Sequence, residues 1–191
     1  DLDTEFVHQA RVATRRMRSA LRLFRDAVPQ ATGTYLAGEL QWLGGLLGEV
    51  RDLDVFLLNL SLFKSRLVRF PARKRKVFEN WIVRHRRAPF TTLGEALASA
   101  RFMNLERRFS RFLDGPLPQR PRAPLAVKQV GEVAPAIVKE KFDAVLSQGA
   151  RVLENPKIKQ FHLLRIEMKK LRYACEFMAP AYGGALDPFI D

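Results

Sequence analysis

Cysteine, acidic residues and long apolar runs are all scarce in this sequence. Cys175 is its single cysteine, which excludes an internal disulfide and a zinc site built from cysteines. No apolar run approaches the roughly 18 residues that a membrane span requires, and nothing resembles a cleavable signal peptide. We therefore expect a cytoplasmic protein without a membrane partner, in which Cys175 is a buried, inert thiol.

The scarcity of acids leaves the chain strongly basic. The 33 lysines and arginines exceed the 20 aspartates and glutamates and produce a formal net charge of +13. Such an excess indicates a polyanion as partner, whether nucleic acid, an anionic membrane or inorganic polyphosphate. Hydrophobic residues make up 47% of the sequence, too many for a disordered basic tail. The composition therefore predicts a folded domain that binds a polyanion.

Patterns typical of catalysis are missing as well. The sequence contains no nucleophile–base pair and no glycine-rich phosphate loop. Asp52 and Asp54 are neighbouring carboxylates, but positions two apart on a helix diverge by about 200°, which disfavours shared acid–base work or Mg²⁺ binding. No second histidine or acid stands at ligand spacing beside His8 or His162. We predict a protein that is not an enzyme, with no cofactor and no metal site.

A basic amphipathic pattern spans Val7 to Phe24. At about 100° per residue, one arc of roughly 100° carries only cations: His8, Arg11, Arg15, Arg18, Arg22 and Arg25. A second arc of similar width holds Ala13, Met17, Ala20, Leu21, Phe24 and Val28. Ordinary solvated helix faces mix charges of both signs. A face of like charges therefore predicts an anion-binding surface.

The same pattern returns 154 positions later, between Phe161 and Met178. His162, Arg165, Lys169, Lys170 and Arg172 correspond to His8, Arg11, Arg15, Arg16 and Arg18. Arg16 and Lys170 point off the shared face, whereas Arg22 lies on it but corresponds to Glu176 in the repeat. The histidine, the spacing and the apolar complement return together, so the repeat predicts two helices with one role.

The rest of the chain also has helical periodicity, with no alternating β-branched runs bounded by hairpin turns. The first basic helix should end near Val28, before Pro29 and a loop at Gly33. Further helices are expected from about Thr34 past Leu60, between Pro71 and Pro89, over Phe90–Leu113 and over Leu125–Leu153. Gly44, Gly45 and Gly48 lie inside the first of these, which predicts close approach of a helix or ligand there. The cations of residues 64–87 surround their helix more than they form a stripe, so we expect many of them to be solvated.

We predict an all-α fold of about six helices in two pseudo-repeated antiparallel bundles. The proline-rich segment 114–124 would link an N-terminal half, residues 1–113, to a C-terminal half, residues 125–191. By the repeat, a counterpart of Tyr35–Leu60 would begin near residue 189. We therefore expect the second half to be incomplete, without that helix, in this sequence.

Three motifs resemble the CHAD domain, a family named for its histidines and α-helices. They are His-x2-Arg-Val-x3-Arg-x-Arg from His8, Leu-Gly-x2-Arg-Asp-x-Asp-Val from Leu47, and His-x2-Arg-Ile-x2-Lys-Lys-Leu-Arg-Tyr from His162. The resemblance covers nearly the whole chain and implies two helical bundles around a central basic channel. It also implies binding of inorganic polyphosphate and association with polyphosphate granules. The Glu-x-Glu-x-Lys signature of the triphosphate-tunnel domain that adjoins some members is absent, so that catalysis is not implied.

We therefore predict non-catalytic binding of inorganic polyphosphate by a cytoplasmic protein associated with granules. The expected phosphate ligands are His8, Arg11, Arg15, Arg16, Arg18, Arg22, Arg51, His162, Arg165, Lys169, Lys170 and Arg172. Asp52 and Asp54 would hold cationic side chains by hydrogen bonds.

Three alternatives stay open: RNA or DNA binding through the same basic surface, a phosphohydrolase accessory domain, and inositol polyphosphates as ligands. Single-strand binders usually alternate aromatic residues with cations, and only Tyr173 adjoins the basic row. The aromatic pattern therefore favours polyphosphate over nucleic acid at this surface.

Overall fold

The protein is all-helical in a computed structural model that describes residues 4–64, 71–115, 123 and 125–190. These residues form six α-helices and two short 3₁₀ helices, with no strand among them, which confirms the predicted all-α class. The α-helices are α1 (Thr4–Leu23), α2 (Gln30–Lys64), α3 (Ala72–Leu97), α4 (Ala100–Asp114), α5 (Val130–Glu154) and α6 (Ile158–Met178). The 3₁₀ helices are Ala179–Ala181 and Asp187–Phe189.

Helix α3 differs from the sequence prediction at its C-terminal end. We expected Pro89 to end a helix, but Pro89 lies inside α3, which continues to Leu97. The actual break comes at Ser99, whose Oγ accepts a hydrogen bond from Phe102 N at 3.2 Å. Serine is a strong N-cap residue, whereas a proline removes one backbone donor. The cap, and not the proline, separates α3 from α4.

Helices α1 and α2 also meet differently from the expectation. We predicted that α1 would reach Val28 and that Gly33 would lie in a loop. Helix α1 ends at Leu23, and α2 already begins at Gln30, directly after Pro29. Gly33 N donates to the Pro29 carbonyl oxygen at 2.9 Å, as in a helical turn. The fixed φ of proline suits a helix start, so α2 begins earlier than predicted, and the connection lies at residues 24–29 rather than after Val28.

The chain forms two compact units, each with its own core. The first comprises Asp1–Arg15 and Thr34–Pro116, and the second comprises Arg16–Gly33 and Leu117–Asp191. Helix α1 thus contributes to both units. Residues 116–122 and 124 of the predicted linker lie outside the described residues, and the division into halves 1–113 and 125–191 stays a prediction.

The core of the first unit is built around α2. Its buried residues Leu36, Leu40, Leu43, Leu47 and Val50 follow the three- and four-residue steps of a helix face. Val7 of α1 and Leu93 of α3 join the last three of them in one hydrophobic cluster. This packing gives the first half of α1 a fixed orientation.

Helices α5 and α6 form the core of the second unit. They pack against each other and are joined by residues 155–157, which makes them an antiparallel pair. Ala174, Cys175 and Met178 of α6 are fully buried. Cys175 is a free thiol with 1% of its surface exposed, which confirms its predicted burial.

The apolar face of α1 departs from the helical-wheel prediction at two positions. Ala13, expected in the core, is exposed, and Thr14 is buried instead. The Thr14 hydroxyl donates to the Ala10 carbonyl oxygen at 2.8 Å. Because the helix itself satisfies this hydroxyl, threonine is tolerated in the core.

Candidate anion-binding site

The first half of α1 carries His8, Arg11 and Arg15 in the first unit. His8 and Arg11 are half-buried, and Arg15 is exposed. Steps of three and four residues place the three side chains on one side of a continuous helix, at about 1.5 Å of rise per residue. The predicted row is therefore present on this part of α1.

Arg11 lies against α2 at a glycine. A Cβ placed on Gly48 would come 3.8 Å from Arg11 Nε. This Nε is buried and has no hydrogen-bond partner among the described residues. Gly45, by contrast, has nothing within 4 Å of an added Cβ. Close approach thus explains Gly48 but not Gly45.

The motif around Arg51 places its two aspartates in different environments. Arg51 is half-buried, and its Nη1 lies 3.5 Å from the Thr4 carbonyl oxygen, a long contact. Asp52 is exposed, whereas Asp54 is buried and accepts a hydrogen bond from Arg86 Nε. Asp54 therefore pairs with a buried cation of α3 and not with one of the predicted phosphate ligands.

The cation held by Asp54 was not foreseen from the sequence. We expected many charges of residues 64–87 to be solvated, but Arg86 has only 2% of its surface exposed. Its guanidinium also lies 5.0 Å from the centre of the Phe90 ring. One feature of the sequence indicated the burial of Arg86, because Arg86 falls on the same face of α3 as Ile82 and Leu93.

The second half of α1 contacts α6 within the second unit. Arg16 Nη1 lies 2.6 Å from Glu176 Oε2, and the Arg16 guanidinium lies 5.7 Å from the centre of the Phe177 ring. Phe24 and Phe177 follow, with ring centres 6.3 Å apart. The two helices that share the basic pattern are therefore neighbours in this unit.

Three of the predicted phosphate ligands already have a carboxylate partner. Glu176 pairs with Arg16, and also with Arg172, whose Nε lies 3.3 Å from Oε1. Lys170 Nζ lies 2.7 Å from Glu167 Oε1. These ion pairs reduce the positive charge at positions that otherwise follow the repeat.

Other predicted ligands are not neutralised in this way. No carboxylate in the described part of the chain forms an ion pair with His8, Arg11, Arg18, Arg22, His162 or Arg165. His162, Arg165 and Lys169 are exposed on α6, where their spacing covers about 10 Å of helix. The cations without a carboxylate partner in the described residues are therefore His8, Arg11, Arg18, Arg22, His162 and Arg165.

A cavity of about 470 Å³ in the second unit brings together Arg22 and Lys170. Apolar residues including Phe24, Val133 and Ile137 line its wall. Further lining cations are Arg25, Lys128 and Lys141. Two of the predicted phosphate ligands, one from each repeated helix, thus line the same cavity.

Two further features bear on the kind of site. In residues 4–64, 71–115, 123 and 125–190, no three His, Cys, Asp or Glu side chains are grouped so as to hold a metal ion. No helix in the same ranges is long and apolar enough to cross a membrane.

Comparison with known proteins agrees with the motifs. A family model described as the CHAD domain matches residues 1–191, the whole sequence, which confirms the resemblance. No curated protein matches the chain significantly.

Proposed function

The chain belongs to the CHAD domain family, and we propose that it binds inorganic polyphosphate, without catalysis, through basic side chains of α1 and α6. The family as a whole is associated with polyphosphate. The observation that carries the proposal is the set of cations on these two helices that no carboxylate in the described residues neutralises. The predicted channel and the association with granules form part of this proposal.

The chemistry of polyphosphate suits a row of cations on a helix. The polymer carries about one negative charge per phosphate on a flexible chain without bases, so its receptor needs donors at regular steps. Arg11 and Arg18 are two turns apart, and Arg165 and Lys169 are one turn apart, at about 5.4 Å per turn. A hydrogen bond to a charged group contributes about 1.5–3 kcal/mol before the costs of desolvation and ordering.

The paired arginines retain a role in this proposal. A guanidinium has five N–H donors in a planar fork, so the contact with Glu176 leaves donors on both Arg16 and Arg172. A carboxylate between two arginines limits their rotamers. Glu176 would therefore orient both side chains, while its negative charge offsets part of their positive charge.

The alternative of nucleic-acid binding at the same surface depends on rings that a base could reach. Tyr173, which adjoins the row, has only 9% of its surface exposed, whereas Phe161, next to His162, is 51% exposed. Base stacking needs an accessible ring face. Competition between the two kinds of polyanion therefore distinguishes the alternatives.

Competition between polyanions tests the proposal. Long-chain polyphosphate, single-stranded RNA and single-stranded DNA would be titrated at equal phosphate concentration near physiological salt, with binding followed by calorimetry. We expect the tightest binding for polyphosphate, with an affinity that falls as salt rises because counterions are released. An equal loss of affinity for all three polymers in a variant that combines Arg18→Ala and Arg165→Ala would contradict a site on α1 and α6 that is specific for polyphosphate.

A further inference from the structure

Helix α3 carries a ladder of three aromatic rings in the first unit. Phe78 and Trp81 have ring centres 6.2 Å apart and planes within 4° of parallel. His85 stacks on Trp81 with ring centres 3.8 Å apart. We call Phe78, Trp81 and His85 the α3 ladder.

The α3 ladder is exposed, which is unusual for rings of this size. Phe78 is 48% exposed and Trp81 is 49% exposed, and His85 is exposed as well. Large aromatic side chains usually contribute to cores or interfaces. Helix α3 uses a different face for the core, since Ile82 and Leu93 are buried. The α3 ladder therefore lies outside the face of α3 that packs into the core.

A hydrogen bond holds the end of the ladder in place. His85 Nδ1 lies 2.8 Å from the Trp81 carbonyl oxygen, so Nδ1 carries the proton and donates it. The imidazole is thereby fixed against the indole ring. A rigid ring stack loses little side-chain entropy when a ligand binds.

Cations flank the α3 ladder. Lys74 and Arg84 lie on the same side of the helix as Trp81, at positions −7 and +3, and Arg73 and Arg87 lie further round the helix. All four are exposed. None of them forms an ion pair with a carboxylate within the described residues. The surface therefore combines exposed aromatic rings with cations free to meet an anion.

We propose that the α3 ladder binds single-stranded nucleic acid, with bases stacking on its rings and phosphates contacting Lys74 and Arg84. Polyphosphate has no π face, so it would leave the aromatic rings without a role. Aromatic rings interspersed with cations are the arrangement that single-strand binders use. This site uses none of the predicted phosphate ligands on α1 and α6, and its test is independent of theirs.

Tryptophan fluorescence reports on this site directly. The chain has two tryptophans, Trp42 and Trp81, so a Trp42→Phe variant leaves Trp81 as the only tryptophan emitter. We expect oligoadenylate to quench Trp81 on binding, because a base stacks on the indole. We expect polyphosphate at equal phosphate concentration to leave the emission unchanged. Binding of oligoadenylate without quenching would overturn the proposal.

Substitutions separate stacking from general attraction. We expect Trp81→Ala to weaken oligoadenylate binding at least about fivefold, and Phe142→Ala, which removes a similarly exposed ring from α5, to leave it unchanged. Arg84→Ala should weaken binding more than Arg107→Ala, which removes an exposed cation from α4. Circular dichroism checks that each variant folds. Equal affinity of Trp81→Ala and the unaltered protein would overturn the proposal.

Other occupants of the α3 ladder give distinct results. If the rings met another protein chain, Trp81→Ala would change the sedimentation of the protein in the absence of RNA. If they met a membrane, anionic vesicles would shift the Trp81 emission to the blue while oligoadenylate would not quench it. Either result would overturn the proposal. The affinity of Trp81→Ala for polyphosphate should equal that of the unaltered protein. If neither protein bound polyphosphate, that result would contradict the proposed function of α1 and α6 but not the proposal for the α3 ladder.

Discussion

Arg16 of α1 and Glu176 of α6 form an ion pair, with Nη1 2.6 Å from Oε2. The same carboxylate accepts from Arg172 Nε at 3.3 Å. One acid therefore lies between two predicted phosphate ligands that come from the two repeated helices. Glu176 corresponds to Arg22 in the sequence repeat, so α6 has an acid where α1 has a cation.

This relationship predicts that Glu176→Gln tightens polyphosphate binding. The amide keeps the shape of the side chain but removes its charge, which leaves two guanidinium groups fully available to phosphate. We expect a several-fold gain in affinity and a steeper dependence on salt. Both arginine side chains are about half exposed, so the loss of stability should stay below about 1 kcal/mol.

Glu39→Gln is the matched control for this substitution. Glu39 pairs with Arg101, at 2.6 Å, in the first unit, and Arg101 is not a predicted ligand. We expect this variant to bind polyphosphate as the unaltered protein does. Weaker binding by Glu176→Gln would show that orientation of Arg16 and Arg172 matters more than their charge.

The buried ion pair of Asp54 and Arg86 predicts a large loss of stability for Asp54→Ala. The substitution would leave the Arg86 charge buried without its carboxylate, and Arg86 Nη1 and Nη2 already have no partner among the described residues. We expect the free energy of unfolding in urea to fall by about 3–5 kcal/mol. Asp52→Ala, at an exposed position, should change it by no more than about 0.5 kcal/mol. Similar effects of the two substitutions would argue against the buried pair.

The glycines of α2 predict opposite outcomes at two nearby positions. Gly45→Ala should raise the free energy of unfolding by up to about 1 kcal/mol, because alanine favours a helix and open space surrounds the position. Gly48→Leu should instead displace Arg11, whose Nε lies 3.8 Å from the position of a Cβ, and so weaken polyphosphate binding. Thermal unfolding and calorimetry measure the two effects. Unchanged affinity in Gly48→Leu would remove Arg11 from the site.

Cys175 should react slowly with thiol reagents in the folded protein. Burial raises the pKa of its thiol, which lowers the fraction of reactive thiolate at any pH below that value. We expect slow labelling at pH 8 and fast labelling in denaturant. An Ala136→Cys variant, with an exposed thiol on α5, should react fast without denaturant. Comparable rates at the two positions would contradict the burial of Cys175.

Local patterns in the sequence were enough to predict that the chain is helical and that the repeated basic residues lie on two helices, α1 and α6. Both depend on steps of three and four residues, which a helix converts directly into a shared face. The boundary at Pro89 was wrong, because a helix tolerates the loss of one donor and the strong cap lies later, at Ser99.

Contacts between distant residues were not accessible in the same way. The partners in the pair of Arg16 and Glu176 are 160 residues apart, and those in the pair of Asp54 and Arg86 are 32 apart. Periodicity assigns a residue to a face of its own helix but not to a partner on another helix. The α3 ladder was missed for a related reason, since the many cations around it indicated only a solvated helix.

Calorimetric titration with long-chain polyphosphate tests the central claim most directly. The protein would be compared with a variant that combines Arg18→Ala and Arg165→Ala, and with a control of equal charge that combines Arg107→Ala and Arg111→Ala on α4. The account predicts tight binding by the protein and the control, and a loss of at least tenfold in the first variant. Equal affinity of the two variants would contradict a site on α1 and α6.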